Sequence, residues 1–78
     1  MTDDGEERLL HLVGWVGRHI LPYERPLRKW LRSAFPTIDV DDVVQEAYCR
    51  ISELKRVDHI DDSRRYLFRT ARNIVLEH

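Results

Sequence analysis

Two stretches of the sequence hold side chains whose types and spacing could do chemistry. In the first, DVDDVVQEAYCRISE at positions 39–53, Asp42 and Glu46 stand four residues apart. On a helix that spacing stacks two carboxylates one turn apart, as in carboxylate metal sites, and it equally makes an acidic strip for a basic partner. No His lies one turn from them and no other segment carries a matching pair of acids. A solvated acidic face therefore explains the pattern without a metal, and no cofactor is expected. In the second stretch, RRYLFRTARN at 64–73, Arg65, Phe68, Arg69 and Arg72 combine guanidinium groups with an aromatic ring. Proteins that hold single-stranded nucleic acid use Arg on the phosphates and aromatics under the bases, each stack being worth about 1–3 kcal/mol. Asn73 adds an amide able to donate to and accept from a base edge. The competing reading is an ordinary Arg-rich solvent face with Phe68 turned into the core. No Ser-His-Asp spacing, glycine-rich phosphate loop or Cys-His pair occurs, so an enzyme is not expected.

Both stretches read as helices. Val40, Val43, Val44, Ala47, Tyr48, Ile51 and Leu54 recur at i, i+3, i+4, i+7 and form one apolar side of the first. Asp42, Gln45, Glu46, Cys49 and Glu53 occupy the other side, open to a partner. Asp39 is placed to cap this helix, with Asp41 and Asp42 in the dipole-favoured first turn, and basic Lys55 or Arg56 marks its expected end. A loop from Val57 to Asp62 follows, then a helix capped by Asp62 or Ser63 with Leu67, Thr70, Ala71, Ile74 and Val75 as its core face. Upstream, a helix from about Gly5 would bury Leu9, Leu12, Val13, Val16 and Ile20. Pro22 and Pro26 break the pattern near Leu21 to Tyr23. A second helix then places Leu27, Trp30, Leu31, Ala34 and Phe35 inward and Arg25, Arg28, Lys29 and Arg32 outward, ending before Pro36.

The whole is expected to be one all-α domain, a compact bundle of three to four helices at residues 9–78 behind a flexible tail at 1–8. Its 78 residues bury only a modest core. No apolar run is long enough to span a bilayer, the acidic N-terminus lacks a signal peptide's basic region, and the lone Cys49 suits a reducing compartment. A cytoplasmic protein is expected. Net charge is −1, but its distribution is uneven: residues 39–62 hold eight acids and three bases, and residues 63–78 hold four arginines and one acid. An acidic helix beside a basic one suggests two partners of opposite sign.

In order, DDVVQEAYCRI, a short acidic loop and YLFRTARNIVLEH closely resemble the second conserved region of bacterial extracytoplasmic-function sigma factors. There an Asp-hydrophobic-hydrophobic-Gln-Glu-x-aromatic-x-Arg helix precedes an aromatic-Leu-x-x-x-Ala-Arg-Asn helix. The upstream YERPLRKWLRSAFP resembles the family's first segment and leans toward its iron-uptake branch, so the likeness covers about residues 10–78. It implies a transcription initiation domain that docks on the clamp helices of the largest catalytic subunit of RNA polymerase and recognises and melts the minus-ten promoter element. Asp42, Gln45 and Glu46 match the docking motif, with Arg50 and Glu53 flanking. The loop, with His59 and Asp61, stands where the family captures a flipped base of the non-template strand. Arg65, Phe68, Arg69, Arg72 and Asn73 carry over as DNA contacts. An anti-sigma factor is a further implied partner. Tyr66 departs from the family's usual Trp, and Thr70 from its usual branched apolar residue. The family's C-terminal domain, which reads the minus-thirty-five element, is absent from this sequence, so an excised domain is expected, and Leu76, Glu77 and His78 read either as native residues or as the start of a tag. The alternative function is a helical interaction module that binds polymerase or an anti-sigma factor without opening DNA.

Overall fold

The computed structural model of the chain describes residues 4–77. Four α-helices, α1 (Asp4–His19), α2 (Glu24–Ala34), α3 (Val40–Ser52) and α4 (Ser63–Glu77), are joined in order, with a 3-10 turn at Leu21–Tyr23 between the first two. There is no strand among the described residues. The all-α expectation therefore holds.

Local chemistry accounts for the boundaries. Asp4, Glu6 and Glu7 sit in the first turn of α1, where the helix dipole favours negative charge, and Arg18 and His19 sit in the last. Pro22 lies within the 3-10 turn, and Pro26 is the third residue of α2, where no intrahelical N–H bond is lost. The corner between α1 and α2 is pinned by Ile20, which is fully buried; its N–H donates to the Val16 carbonyl at 2.9 Å and its carbonyl accepts from the Tyr23 N–H at 2.9 Å. Asp39 has an extended backbone, and its Oδ1 accepts the Asp42 N–H at 3.2 Å, the N-cap arrangement expected for α3. Asp62 does the same for α4, with its Oδ1 accepting the Arg65 N–H at 2.9 Å.

The core is a continuous cluster. Val43, Val44, Ala47 and Ile51 of α3 meet Leu67, Ala71 and Ile74 of α4, and Leu27 and Leu31 of α2, Ile20 and Val57 close around them. The α3–α4 pair is the most closely packed in the molecule, and Ala47 and Ala71, both fully buried, suit that approach. Polar links tie α2 to α3. The Tyr48 hydroxyl donates to Glu24 Oε1 at 2.7 Å, and Arg28 bridges Glu24 at 3.3 Å and Asp41 at 2.6 Å.

Several expectations are corrected. Residues 4–8 belong to α1 and are not a tail; Met1 to Asp3 and His78 lie outside the described residues. α1 buries Leu12 and Trp15, with Val16 half-buried, whereas Leu9 and Val13, expected in the core, are exposed. Ala34 is also exposed. α3 ends at Ser52, whose hydroxyl donates to the Cys49 carbonyl at 2.7 Å, short of Lys55 and Arg56. The principal extents of 48 × 21 × 18 Å describe a molecule longer than it is wide. Its radius of gyration of 13.5 Å exceeds the value of about 11.5 Å usual for a domain of this length.

Candidate functional site

Two exposed surfaces gather the residues singled out in the sequence. On α3, Val43, Val44, Ala47 and Ile51 take the buried side, which turns Asp42, Gln45, Cys49 and Glu53 outward. Asp42, Gln45, Glu46, Cys49 and Arg50 line one open depression, closed on its far side by Glu77 of α4. The docking candidates thus share a face, except that Glu53, the C-cap, lies beyond this hollow.

Within that face Glu46 and Arg50 have partners of their own. Arg50 Nε donates to Glu46 Oε1 at 3.2 Å, its Nη1 donates to Glu77 Oε1 at 3.1 Å, and its Nη2 closes a second bond to Glu77 Oε2. The fork pairing with the Glu77 carboxylate, and then Glu46, raises the guanidinium's pKa far above its ordinary value, so Arg50 stays charged throughout the working pH range. Arg50 is therefore a strut between α3 and the end of α4 as much as a flank of the acidic strip. Gln45 and the Asp42 carboxylate make no side-chain bond within the described chain and remain available.

The second surface joins the 57–62 loop to α4. His59, Ile60, Asp61 and Asp62 of the loop and Arg65, Tyr66 and Arg69 of α4 line a shared open depression. The loop is held from below: Val57 is buried, and its carbonyl accepts the Ile60 N–H at 3.0 Å. Beside it, Arg56 Nη2 donates to Asp58 Oδ2 at 2.7 Å, and that guanidinium holds the Asp58 carboxyl below the usual carboxylate range. Four of the DNA candidates, His59, Asp61, Arg65 and Arg69, are thus brought together. Arg72 and Asn73 lie exposed further along the same helix, with spacings of 3 and 4 residues from Arg69 that continue one stripe.

Phe68 is placed differently from an open stacking platform. Its ring is half-buried, packs on Trp30 at a centroid distance of 5.3 Å, and carries the Arg64 guanidinium carbon 4.5 Å from its centroid. Trp30 in turn meets Phe35 edge-to-face at 5.7 Å. Phe68 therefore belongs to an aromatic cluster joining α2 to α4, and the reading that turned it toward the core describes it better than the stacking one.

Sequence reasoning passed over Arg64, although its i, i+4 relation to Phe68 is legible. It also passed over the Glu24–Arg28–Asp41 chain, of which only the i, i+4 half can be seen without the fold. No group of three or more His, Cys, Asp or Glu side chains among the described residues is arranged to hold a metal ion. No described helix is long and apolar enough to cross a membrane. Set against protein-family models, curated proteins and solved structures, the chain matches none of them.

Proposed function

We propose that this chain is a transcription initiation domain like the second region of extracytoplasmic-function sigma factors, docking on RNA polymerase through α3 and holding the non-template strand of the minus-ten element through α4 and the 57–62 loop. The reading rests on the motif order in the sequence. The structural observation that supports it best is the separation of two exposed faces of opposite charge on adjacent helices. The acidic one is centred on Asp42 and Gln45, and the basic one on Arg65, Arg69 and Arg72.

The division makes physical sense. A base is read singly only after leaving the stack, at a cost of a few kcal/mol, and contacts to the freed strand offset it. Docking on polymerase supplies affinity that a domain of net charge −1 lacks by itself. An anti-sigma factor would act by covering either face.

The test is binding to a purified fragment carrying the polymerase clamp helices. Asp42→Arg is the informative variant, because Asp42 faces solvent and its carboxylate holds no partner in the chain, whereas Glu46→Arg would also take from Arg50 one of its two carboxylate partners. Wild type binds and Asp42→Arg loses binding while remaining helical by circular dichroism. A folded wild type that does not bind the fragment sinks the polymerase assignment. The alternative, an interaction module that does not open DNA, is separated by crosslinking the polymerase-bound domain to a minus-ten oligonucleotide.

A further inference from the structure

The outer side of α1 has no use in the fold. Leu9, Leu10 and Val13 are 57%, 62% and 61% exposed; Leu10 and Val13 lie on the side away from Leu12 and Trp15, and Leu9 stands at the edge of that side, where with Leu12 it lines a shallow depression against the end of α3. Gly17 follows them one turn on, and a Cβ built there meets nothing within 4 Å. Gly14 flanks the same stripe, with the Arg18 guanidinium lying across it, Nη1 being 3.1 Å from where its Cβ would stand. Two glycines inside an exposed helix each cost about 1 kcal/mol relative to Ala, with no tight turn or positive φ to require them. A small-residue surface beside three exposed aliphatics instead gives a neighbouring helix room to approach closely.

The charge pattern says which helix. Glu7 and Arg18 fall on the same flank of the stripe, eleven residues apart, so they share a side after three turns. Neither forms an ion pair within the described chain. When two copies of such a helix lie antiparallel, same-side flanks meet, and pairing about the midpoint of residues 7 and 18 sets each Glu7 against the other copy's Arg18. The same register brings Leu9 and Leu10 of one helix over the Gly14–Gly17 turn of the other and sets the two Val13 side chains beside each other at the midpoint. A parallel arrangement would bring opposite flanks together and leave Glu7 and Arg18 apart from each other.

We propose that α1 is a self-association surface on which a second copy of this chain docks antiparallel, its aliphatic stripe packed against its twin and two Glu7–Arg18 pairs closing the rim. The contact is isologous, the commonest form of closed dimer. A single helix pair buries less than the roughly 1,200 Å² at the low end of specific interfaces, so the dimer is weak and concentration-dependent. It uses none of the residues assigned to polymerase or DNA and stands apart from that reading.

Sedimentation equilibrium of the whole chain over a concentration series tests it. The apparent mass rises from one chain of 9.4 kDa toward two as concentration increases. Val13→Glu, at an exposed position, weakens the dimer by about tenfold or more while leaving helicity unchanged. Glu7→Arg weakens it by about fivefold, and Glu7→Arg combined with Arg18→Glu restores it, because the swap re-forms both pairs with the charges exchanged. A mass that stays at one chain throughout overturns the proposal. So does a dimer indifferent to Val13→Glu, which would lie on another face, or a double variant no tighter than Glu7→Arg alone, which would rule out the antiparallel register.

Discussion

Asp39 and Tyr48 show how single side chains set the frame that carries both faces. Asp39 supplies the one side-chain acceptor seen at the start of α3. Asp39→Ala is expected to destabilise the domain by about 1 kcal/mol, seen as a lower midpoint in urea with little change in slope. Tyr48 donates to Glu24 from a half-buried position, and burial first, then the Glu24 carboxylate, pushes its hydroxyl well above the ordinary tyrosine value. Its folded pKa lies above the unfolded one, so its contribution is full below the unfolded value of about 10 and is lost as pH rises beyond that toward the folded value. Tyr48→Phe should cost about 0.5–1.5 kcal/mol at neutral pH. The difference from wild type should shrink above pH ~10, where wild type must either ionise the phenol or retain its proton against the solvent. A Tm series in pH checks both, and a difference that stays constant into strong alkali would show that the bond is not what the variant removes.

At the scale of helices, legibility followed how many ways each stripe could be drawn. In α3 the apolar positions fill one side only, so Val43, Val44, Ala47 and Ile51 and the outward Asp42 and Gln45 could be placed from the sequence and lie where expected. In α1, Leu9, Leu10, Leu12, Val13, Trp15 and Val16 cover much of the circumference. Two stripes fit equally well, and only packing against the rest of the chain selects the one containing Trp15. The end of α3 was misplaced because Glu53, Leu54 and Lys55 carry no Gly or Pro stop; the helix closes on the Glu53 N–H bonding the Arg50 and Ile51 carbonyls. Phe68 could not be assigned without knowing that Trp30 lies beneath it, about three times the length of α3 away in sequence. α4 illustrates the benefit of a clear stripe: Arg72 and Asn73 are exposed and bonded to nothing in the described chain, so Arg72→Ala and Asn73→Ala should change stability by less than about 0.5 kcal/mol. Under the proposed function the same pair should reduce crosslinking of the polymerase-bound domain to a minus-ten oligonucleotide severalfold with polymerase affinity unchanged. Retained crosslinking would favour the interaction module.

For the molecule as a whole, the decisive quantity is how the two charged faces feel one another. The net charge of −1 hides a basic α4 and an acidic α3 packed side by side, so a strand approaching Arg65, Arg69 and Arg72 also meets the field of Asp42 and Glu46. That field reaches about 10 Å at 0.1 M salt and further when salt is low. The isolated domain is therefore expected to bind a single-stranded oligonucleotide weakly. If all three arginines meet phosphates, the logarithm of affinity should fall against the logarithm of salt with a slope of about −2. Arg69→Ala should make that slope shallower by about 0.7, whereas Asp42→Arg should raise affinity at low salt and converge on wild type as salt is added, since it acts through space and not by contact. Fluorescence anisotropy of a labelled oligonucleotide across a salt series separates these outcomes. An Arg69→Ala slope equal to wild type would remove α4 from the DNA contact. A gain for Asp42→Arg that survives high salt would mean that α3 itself touches the strand, and the two faces would then have to be redrawn as one.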